Sequence, residues 1–486
     1  MNIARNFMVI AERLPDKIFL VGTDNVSHSY SAILRRARQF ASLLVSRGIG
    51  AGDRVILTFP SSVDYMIAYL GVLMLDCTAL PVDFRSRPQH LDYVRTNTRA
   101  SLWVTPRKRP EYDTLPDQLV FPGDLEQYPE MPTARLCTNK NPLALIMFTS
   151  GATGIPKGVC LSHANLQHTI ESITSWAHIE ESDRELTTLS LTHLFGLAHC
   201  HIYWTLGGTV FLEERLHDVP RLLQKIDRND ISSFPGTPGG FKMIIDQFAE
   251  LLSRHASRVK YIIVNSAPME QEYIRKLLEL LPNTRVYMYY GLTEASRSSY
   301  ICYNDHRDQQ VTVGRPTPGA DICVGVPSAP VVNEIGEILI RGPHLTSGYW
   351  GMDSSEYFLD GWFRTSDLGI IDSDGFLTWK GRLKEQINID GLKLTPTEVE
   401  TVLMEHERVK DSAVVGAPDP HTGECIVAFV VPNGEPSKAL EIELRKYCKL
   451  RLEIYKVPTR IIFVDEIPRT DTGKTQRMSL KERLLR

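Results

Sequence analysis

The chain lacks any close Cys-x-x-Cys pair. Its eight cysteines are scattered over 486 residues, which excludes a cysteine zinc site or a disulfide framework and fits a reducing cytosol. It also lacks an excess of positive charge: Lys+Arg number 54 against 58 Asp+Glu, a formal charge of −4. That gives no general attraction to nucleic acid or to an anionic membrane. No apolar run is long enough to span a bilayer. The most apolar stretch, Met66 to Val82, is broken by Asp76 and Pro81 and reads as a buried helix followed by a strand. The N-terminus, Met-Asn-Ile-Ala-Arg-Asn, has no apolar secretory segment. Internal repeats and low-complexity tracts are absent. The expectation is a cytoplasmic protein with no membrane span and no nucleic-acid partner. At this length more than one domain is expected.

What is present is concentrated at residues 148–158, Phe-Thr-Ser-Gly-Ala-Thr-Gly-Ile-Pro-Lys-Gly. The run Leu143 to Phe148 reads as a buried strand. After it come the hydroxyls of Thr149, Ser150 and Thr153, the glycines Gly151, Gly154 and Gly158, and Lys157. Glycines let a backbone bring its N–H groups close to a ligand. Hydroxyls donate hydrogen bonds, and lysine adds a point charge. Together these suit a polyphosphate. The spacing is not the Walker arrangement, Gly-x-x-x-x-Gly-Lys-Ser/Thr.

The rest of the chain alternates. Residues 1–50 read as helix, short hairpin, helix. Strands are expected at 54–59 and 79–82, with a helix over 63–76 between them. Such alternation predicts a mainly parallel sheet covered by helices. Residues 106–140, with six prolines, read as an irregular connection. A helix over 165–176 would start near the glycine-rich loop, where its dipole favours anions. His193, His199 and His201 invite a metal reading, but no carboxylate stands at matching spacing. Strands are expected at Tyr261 to Val264 and Val286 to Tyr290, then several short ones over 320–380. At Gly381-Arg-Leu-Lys the strand pattern gives way to charged residues, and Pro396-Thr-Glu-Val-Glu reads as a helix start.

Four motifs in this order resemble the adenylate-forming superfamily of acyl- and aryl-CoA synthetases, adenylation domains and luciferases. They are the loop 148–158, Tyr290-Gly-Leu-Thr-Glu294, Gly361-Trp-Phe-Arg-Thr-Ser-Asp367-Leu-Gly, and the Gly-Lys474 ending. The resemblance implies roles. Thr149, Ser150, Gly151, Thr153, Gly154 and Lys157 would hold phosphates. Tyr290 would stack on adenine beside Tyr289 and Gly291. Thr293 would touch the α-phosphate and Glu294 would hold Mg2+. Asp367 would accept both ribose hydroxyls, Arg382 would contact the nucleotide, and Lys474 would be the catalytic lysine. Ala267, Pro268 and Lys393 fall at further binding positions. His193 would line the pocket of the carboxylate substrate, and Lys384 would be the hinge.

The chain departs from the family pattern at five places. Ala152 replaces a hydroxyl, and Met288 replaces a common Gln or Asn. Ser366 replaces the Gly before Asp367. Asn265-Ser266 replace Gly-Gly before Ala267-Pro268, which hints at a smaller or more polar acid. Ser190 stands where a Pro is usual.

The fold so implied is α/β: a large N-terminal domain of mixed and parallel sheets with a β-rich subdomain (1–381), and a small mobile α+β domain (382–486). The activity implied is ATP-dependent activation of a carboxylic acid as acyl-AMP, then transfer to a thiol. The thiol is CoA or the phosphopantetheine of an acyl or peptidyl carrier protein, a separate partner because only 12 residues follow Lys474. Two alternatives stay open: a free-standing amino acid adenylation enzyme, against which the absence of Asp in 189–199 argues, and a luciferase-like oxidase.

Overall fold

In the computed structural model the described residues are 1–108, 117–149, 156–214, 216, 218–255, 258–389, 392–419, 422–470 and 473–484, excluding the side chain of Lys393. The first sheet runs Gln118–Val120, Leu102–Thr105, Arg54–Leu57, Thr78–Pro81, Leu143–Thr149, Lys157–Ser162. Its pairs are parallel except the last, which is an antiparallel hairpin. The second sheet contains Ser27–Ser29, Ile18–Val21, Thr209–Leu212 and Arg184–Thr187 on one side. On the other side are Tyr261–Val264, Arg285–Tyr290, Ser299–Cys302 and Arg315–Pro316. Ser233 bridges Glu185 and Tyr261 and so joins the two halves.

The largest core packs between these sheets and the helices Ala4–Arg13, Tyr30–Ser46, Val63–Met74, His163–Ala177 and Leu194–Leu206. Every residue from Tyr65 to Met74 is buried. That explains the continuous apolar run: a helix packed on all sides needs no polar face. The segment 106–140 is irregular as expected, apart from the edge strand Gln118–Val120 and a 3-10 turn at Thr133–Arg135.

One expectation fails. The helix was placed with its start beside the glycine-rich loop. Instead Lys157–Ser162 returns from that loop as a strand and ends opposite Leu143. Its buried Val159, Cys160 and Leu161 pair with 143–149. The helix His163–Ala177 therefore begins at the far end of the hairpin, capped by Ser162 and Asn165. At about 3.3 Å per residue that is roughly 17–20 Å away. A helix dipole fades within a turn, so it does not serve the loop.

The third sheet is antiparallel. It contains Asp321–Val326, Gly336–Arg341, Trp362–Ile371 and Leu377–Arg382, with the short strands Ala329–Pro330 and Phe358–Leu359 at its margins. The chain then makes a 3-10 turn at Leu383–Glu385 and enters a fourth sheet. There Leu392–Leu394, Ile387–Ile389, Gly423–Pro432 and Val409–Asp419 lie side by side, and Arg460–Phe463 pairs Gly423–Pro432 in parallel. This sheet has a core of its own, with Val399, Leu403, Ile426, Leu440 and Leu444 on one face and Ala413, Phe429, Ile467 and Leu480 on the other. Pro396 opens its first helix, and Thr395 and Glu398 form the capping box.

The last helix, Arg477–Leu484, is tied back by Arg477. Its Nη1 donates to Glu385 and its Nη2 donates to both oxygens of Glu400, each at 2.8 Å. Burial pushes the Glu400 pKa up even so. Removing one partner from a buried ion pair strands the other charges. Arg477→Met is expected to cost up to about 3–5 kcal/mol in urea denaturation. An unchanged unfolding midpoint would show the triad to be slack.

Candidate active site

The site is assembled at the C-terminal end of the strand Arg285–Tyr290. In parallel sheets ligands bind at that end, and Tyr261–Val264 runs parallel beside it. Successive strand residues face opposite ways. Tyr290 turns to one side, where its Oη donates to Asp367 Oδ2 at 2.8 Å. Tyr289 turns to the other, edge-on to Phe195 at 5.7 Å. Met288 is buried in the second core among Val264, Val286 and Ile301.

Asp367 is 1% exposed. It stands opposite Arg382 in the ladder, and Arg382 Nε lies 2.8 Å from Oδ1. Burial pushes the Asp367 pKa up, and Arg382 and Tyr290 pull against it. Burial also works against the Arg382 charge, but Asp367, Tyr290, Glu385 and Glu294 hold its pKa above the ordinary value. No hydrogen bond is directed at Oδ1, so that oxygen keeps capacity for an incoming hydroxyl. This fits a ribose diol. Ser366 has φ +57° and Ser266 has φ +95°. Both keep a backbone shape that glycine adopts without cost.

Glu294 lies in a tight turn. Leu292 and Ala295 exchange backbone hydrogen bonds of 3.0 and 3.2 Å. A Cβ on Gly291 would stand 2.4 Å from the backbone N of Arg297, so only glycine fits there. Thr293 is half-buried in the same turn. The Glu294 carboxylate accepts a hydrogen bond from Tyr349 Oη at 2.8 Å. Lys157 donates to Tyr357 Oη, and its ammonium lies 5.1 Å from the centre of the Tyr349 ring and 4.4 Å from that of Tyr357. Two tyrosines thus hold the lysine and the carboxylate in one cluster. No local sequence pattern links Tyr349 or Tyr357 to Lys157. Thr346 and Gly348 join this segment to the strand Lys157–Ser162 through Cys160.

Lys474 arrives on the loop 469–476. Arg469 anchors that loop to both oxygens of Asp411 at 2.8 and 2.9 Å, and Gly473 turns it with φ +83°. Much of the lysine side chain is exposed. Its charge is felt electrostatically by Arg382, Asp367, Glu294 and Glu385. Burial and then Arg382 lower its pKa, while Asp367, Glu294 and Glu385 work the other way.

Other expected residues are placed as follows. Thr149 ends its strand, half-buried and opposite Lys157. Ala267 and Pro268 follow the strand Tyr261–Val264. Asn265 is not simply bulk, since its Nδ2 donates to Tyr289 O at 2.7 Å. His193 is exposed at the N-cap of Leu194–Leu206, near Asp83. His199 and His201 are wholly buried on Glu185 and Tyr69, so the three histidines do not converge. Among the described residues no cluster of three ligating side chains could hold a metal. Ser150, Gly151, Ala152, Thr153, Gly154 and the Lys393 side chain lie outside the described residues.

The model of the AMP-binding enzymes matches residues 7–350, and that of their C-terminal domain matches 398–474. The chain belongs to the AMP-binding enzymes. A probable CoA ligase of Humulus lupulus is 29% identical, aligned over 92% of this chain and 89% of its own length. An oxalate–CoA ligase of Arabidopsis thaliana is 28% identical over 98% and 97%. ATP-bound MatB from Rhodopseudomonas palustris has a TM-score of 0.90 at 26% identity, covering 99% of each chain. Asp367 lies buried between a tyrosine and an arginine, a setting that suits a ribose diol. A hydrogen bond to a charged group is worth about 1.5–3 kcal/mol. Asp367→Asn is therefore expected to weaken AMP binding about 10- to 100-fold in calorimetry. Unchanged affinity would place the ribose elsewhere.

Proposed function

We propose that this chain is an AMP-forming acid–thiol ligase, making an acyl adenylate from ATP and a carboxylic acid and passing the acyl group to CoA. One observation carries the reading. Lys157, Glu294, Asp367 and Arg382 come from separate segments, yet their charged groups gather at one end of the strand Arg285–Tyr290, and the charge of Lys474 on the small unit is coupled to three of them. The listing of CoA ligases among the relatives supports CoA as the acceptor. A carrier protein's phosphopantetheine ends in the same thiol and is the competing acceptor. The eight unpaired cysteines support a reducing compartment, the cytoplasm. No helix among the described residues is long and apolar enough to cross a membrane.

In this reading Asp367, held by Tyr290, takes the ribose, the Tyr290 ring stacks on the adenine, and Lys157 holds the outer phosphates. A carboxylate oxygen of the acid attacks the α-phosphorus. The bond from that phosphorus to the bridging oxygen breaks, and pyrophosphate leaves with the electron pair. Lys474 neutralises charge growing between the two anions, which is stabilisation by a preplaced group. Glu294 would hold Mg2+, which would supply further neutralisation of phosphate charge; a single carboxylate suits an ion that is commonly bound by only one or two of them. The thiol then attacks the acyl carbonyl and AMP departs. We assign the adenylating unit to 1–381 and the mobile unit to 382–486. They swing about Lys384 in the turn Leu383–Glu385.

Pyrophosphate release against aliphatic, aromatic and amino acids tests the reading, followed by transfer to CoA or to a pantetheinylated carrier. Release with amino acids alone, or none with any acid, would overturn it. Lys474→Ala is expected to slow pyrophosphate release about 10²–10³-fold and to spare transfer from a synthetic adenylate. Equal loss of both steps would refute the swing.

The Lys474 charge also sets a pH limit. Its pKa lies below the ordinary 10.5, so the charge is lost as pH rises through that lower value. Adenylation should fall on that alkaline side. Lys474→Arg, protonated throughout, should move the fall upward. A profile unmoved by the substitution would assign the limb to another group.

A further inference from the structure

Arg297 lies three residues beyond Glu294, on the Tyr289 face of the strand Arg285–Tyr290. It is 1% exposed, and its backbone is left-handed at φ +61°. A guanidinium stays protonated in proteins. Burying one without a counter-charge is costly, so buried charges are normally paired. Yet no carboxylate among the described residues forms an ion pair with it. Nη1 donates to Ser296 Oγ at 3.0 Å, whereas Nε and Nη2 have no partner.

Its surroundings are aromatic or neutral. The guanidinium lies 4.9 Å from the centre of the Tyr289 ring. Its charge reaches wholly buried His201, whose pKa is pushed down to about 3 by burial first and then by Arg297. His201 is therefore no counter-ion. Glu185, also wholly buried, takes His199 Nδ1 at 2.8 Å and Ser233 at 3.2 Å on Oε2, keeps Oε1 without a partner, and forms no ion pair with Arg297.

The position relative to the chemistry is set by the strand. Tyr290 faces Asp367 and the nucleotide side. Tyr289 faces the opposite side, among Phe195, Asn265 and Arg297. The Gly291 turn holds the Arg297 backbone against the segment that carries Thr293 and Glu294. An acid whose reacting carboxylate lies at that turn would extend along the Tyr289 face, toward two unsatisfied guanidinium donors. A guanidinium fork matches a carboxylate bidentately.

We propose that Arg297 determines specificity by binding a second carboxylate, so that the substrate is a short dicarboxylic acid. This rests on the acid-activating reading above and refines it. The conformational strain and the unpaired charge are then explained together, because the ligand completes the ion pair.

The test is pyrophosphate release with dicarboxylic acids of two to six carbons, each beside its mono-methyl ester and the matching monocarboxylic acid. A site built around a buried polar group rejects an analogue lacking the partner by up to about 10⁴–10⁵-fold. The wild-type protein is expected to favour the best diacid over its half-ester by at least about 100-fold in kcat/KM. Arg297→Met should abolish most of that ratio while keeping AMP affinity within about twofold, and Arg297→Lys should retain part of it. Robust release with half-esters or monoacids equal to the diacids would overturn this proposal and leave adenylation standing. Release with no acid at all would overturn both. Loss of AMP binding in Arg297→Met and Arg297→Lys alike, with no wild-type preference for diacids, would make Arg297 a support of the fold.

Discussion

Asp367 is a carboxylate almost wholly removed from water, and the geometry of the site depends on it. Its cost is offset only because Tyr290 from the second, mixed sheet and Arg382 from the end of the antiparallel sheet both reach it. Those two partners lie 77 and 15 positions away in sequence, and each sits at the end of its strand. The carboxylate thus couples the sheets where the nucleotide is expected. Arg382 is also the last strand residue before the turn into the fourth sheet. The electrostatics of the small unit, including Lys474, are therefore tied to the same point.

A second cluster does the same for the phosphate side. Lys157 and Glu294 carry opposite charges but do not pair directly. Tyr349 donates to the carboxylate and turns its ring to the lysine, with Tyr357 beside it. Aromatic groups hold each charge in place without neutralising it fully, which leaves both available to phosphate and metal. The strained backbones at Ser266, Arg297 and Ser366 flank this region. Strain of this kind persists where surrounding structure over-determines it, and it clusters at functional sites.

Much of this was legible locally. The burial of 65–74, the strand at 261–264, the strand ending at Tyr290 and the proline-started helix at 396 follow from periodicity and turn chemistry, which act over a few residues. The hairpin at 157–162 was missed because six residues of mixed polarity declare themselves a strand only beside the partner 143–149. Met288 reads as a lost nucleotide contact; in the fold it is buried in the second core, on the same side of the strand as Tyr290.

The sequence by itself determined the family and the order of the motifs, because glycine turns, hydroxyls and single charges must recur wherever the same ligand is held. It could not determine which distant groups touch. The partnership of Lys157 with Tyr357 spans 200 positions, and no spacing rule reaches that far. Nor could it separate a buried arginine from an exposed one: Arg297 reads as an ordinary polar residue in Ala-Ser-Arg-Ser-Ser. Only the packing of Tyr289, His201 and the Gly291 turn around it removes the water and leaves its charge without a partner.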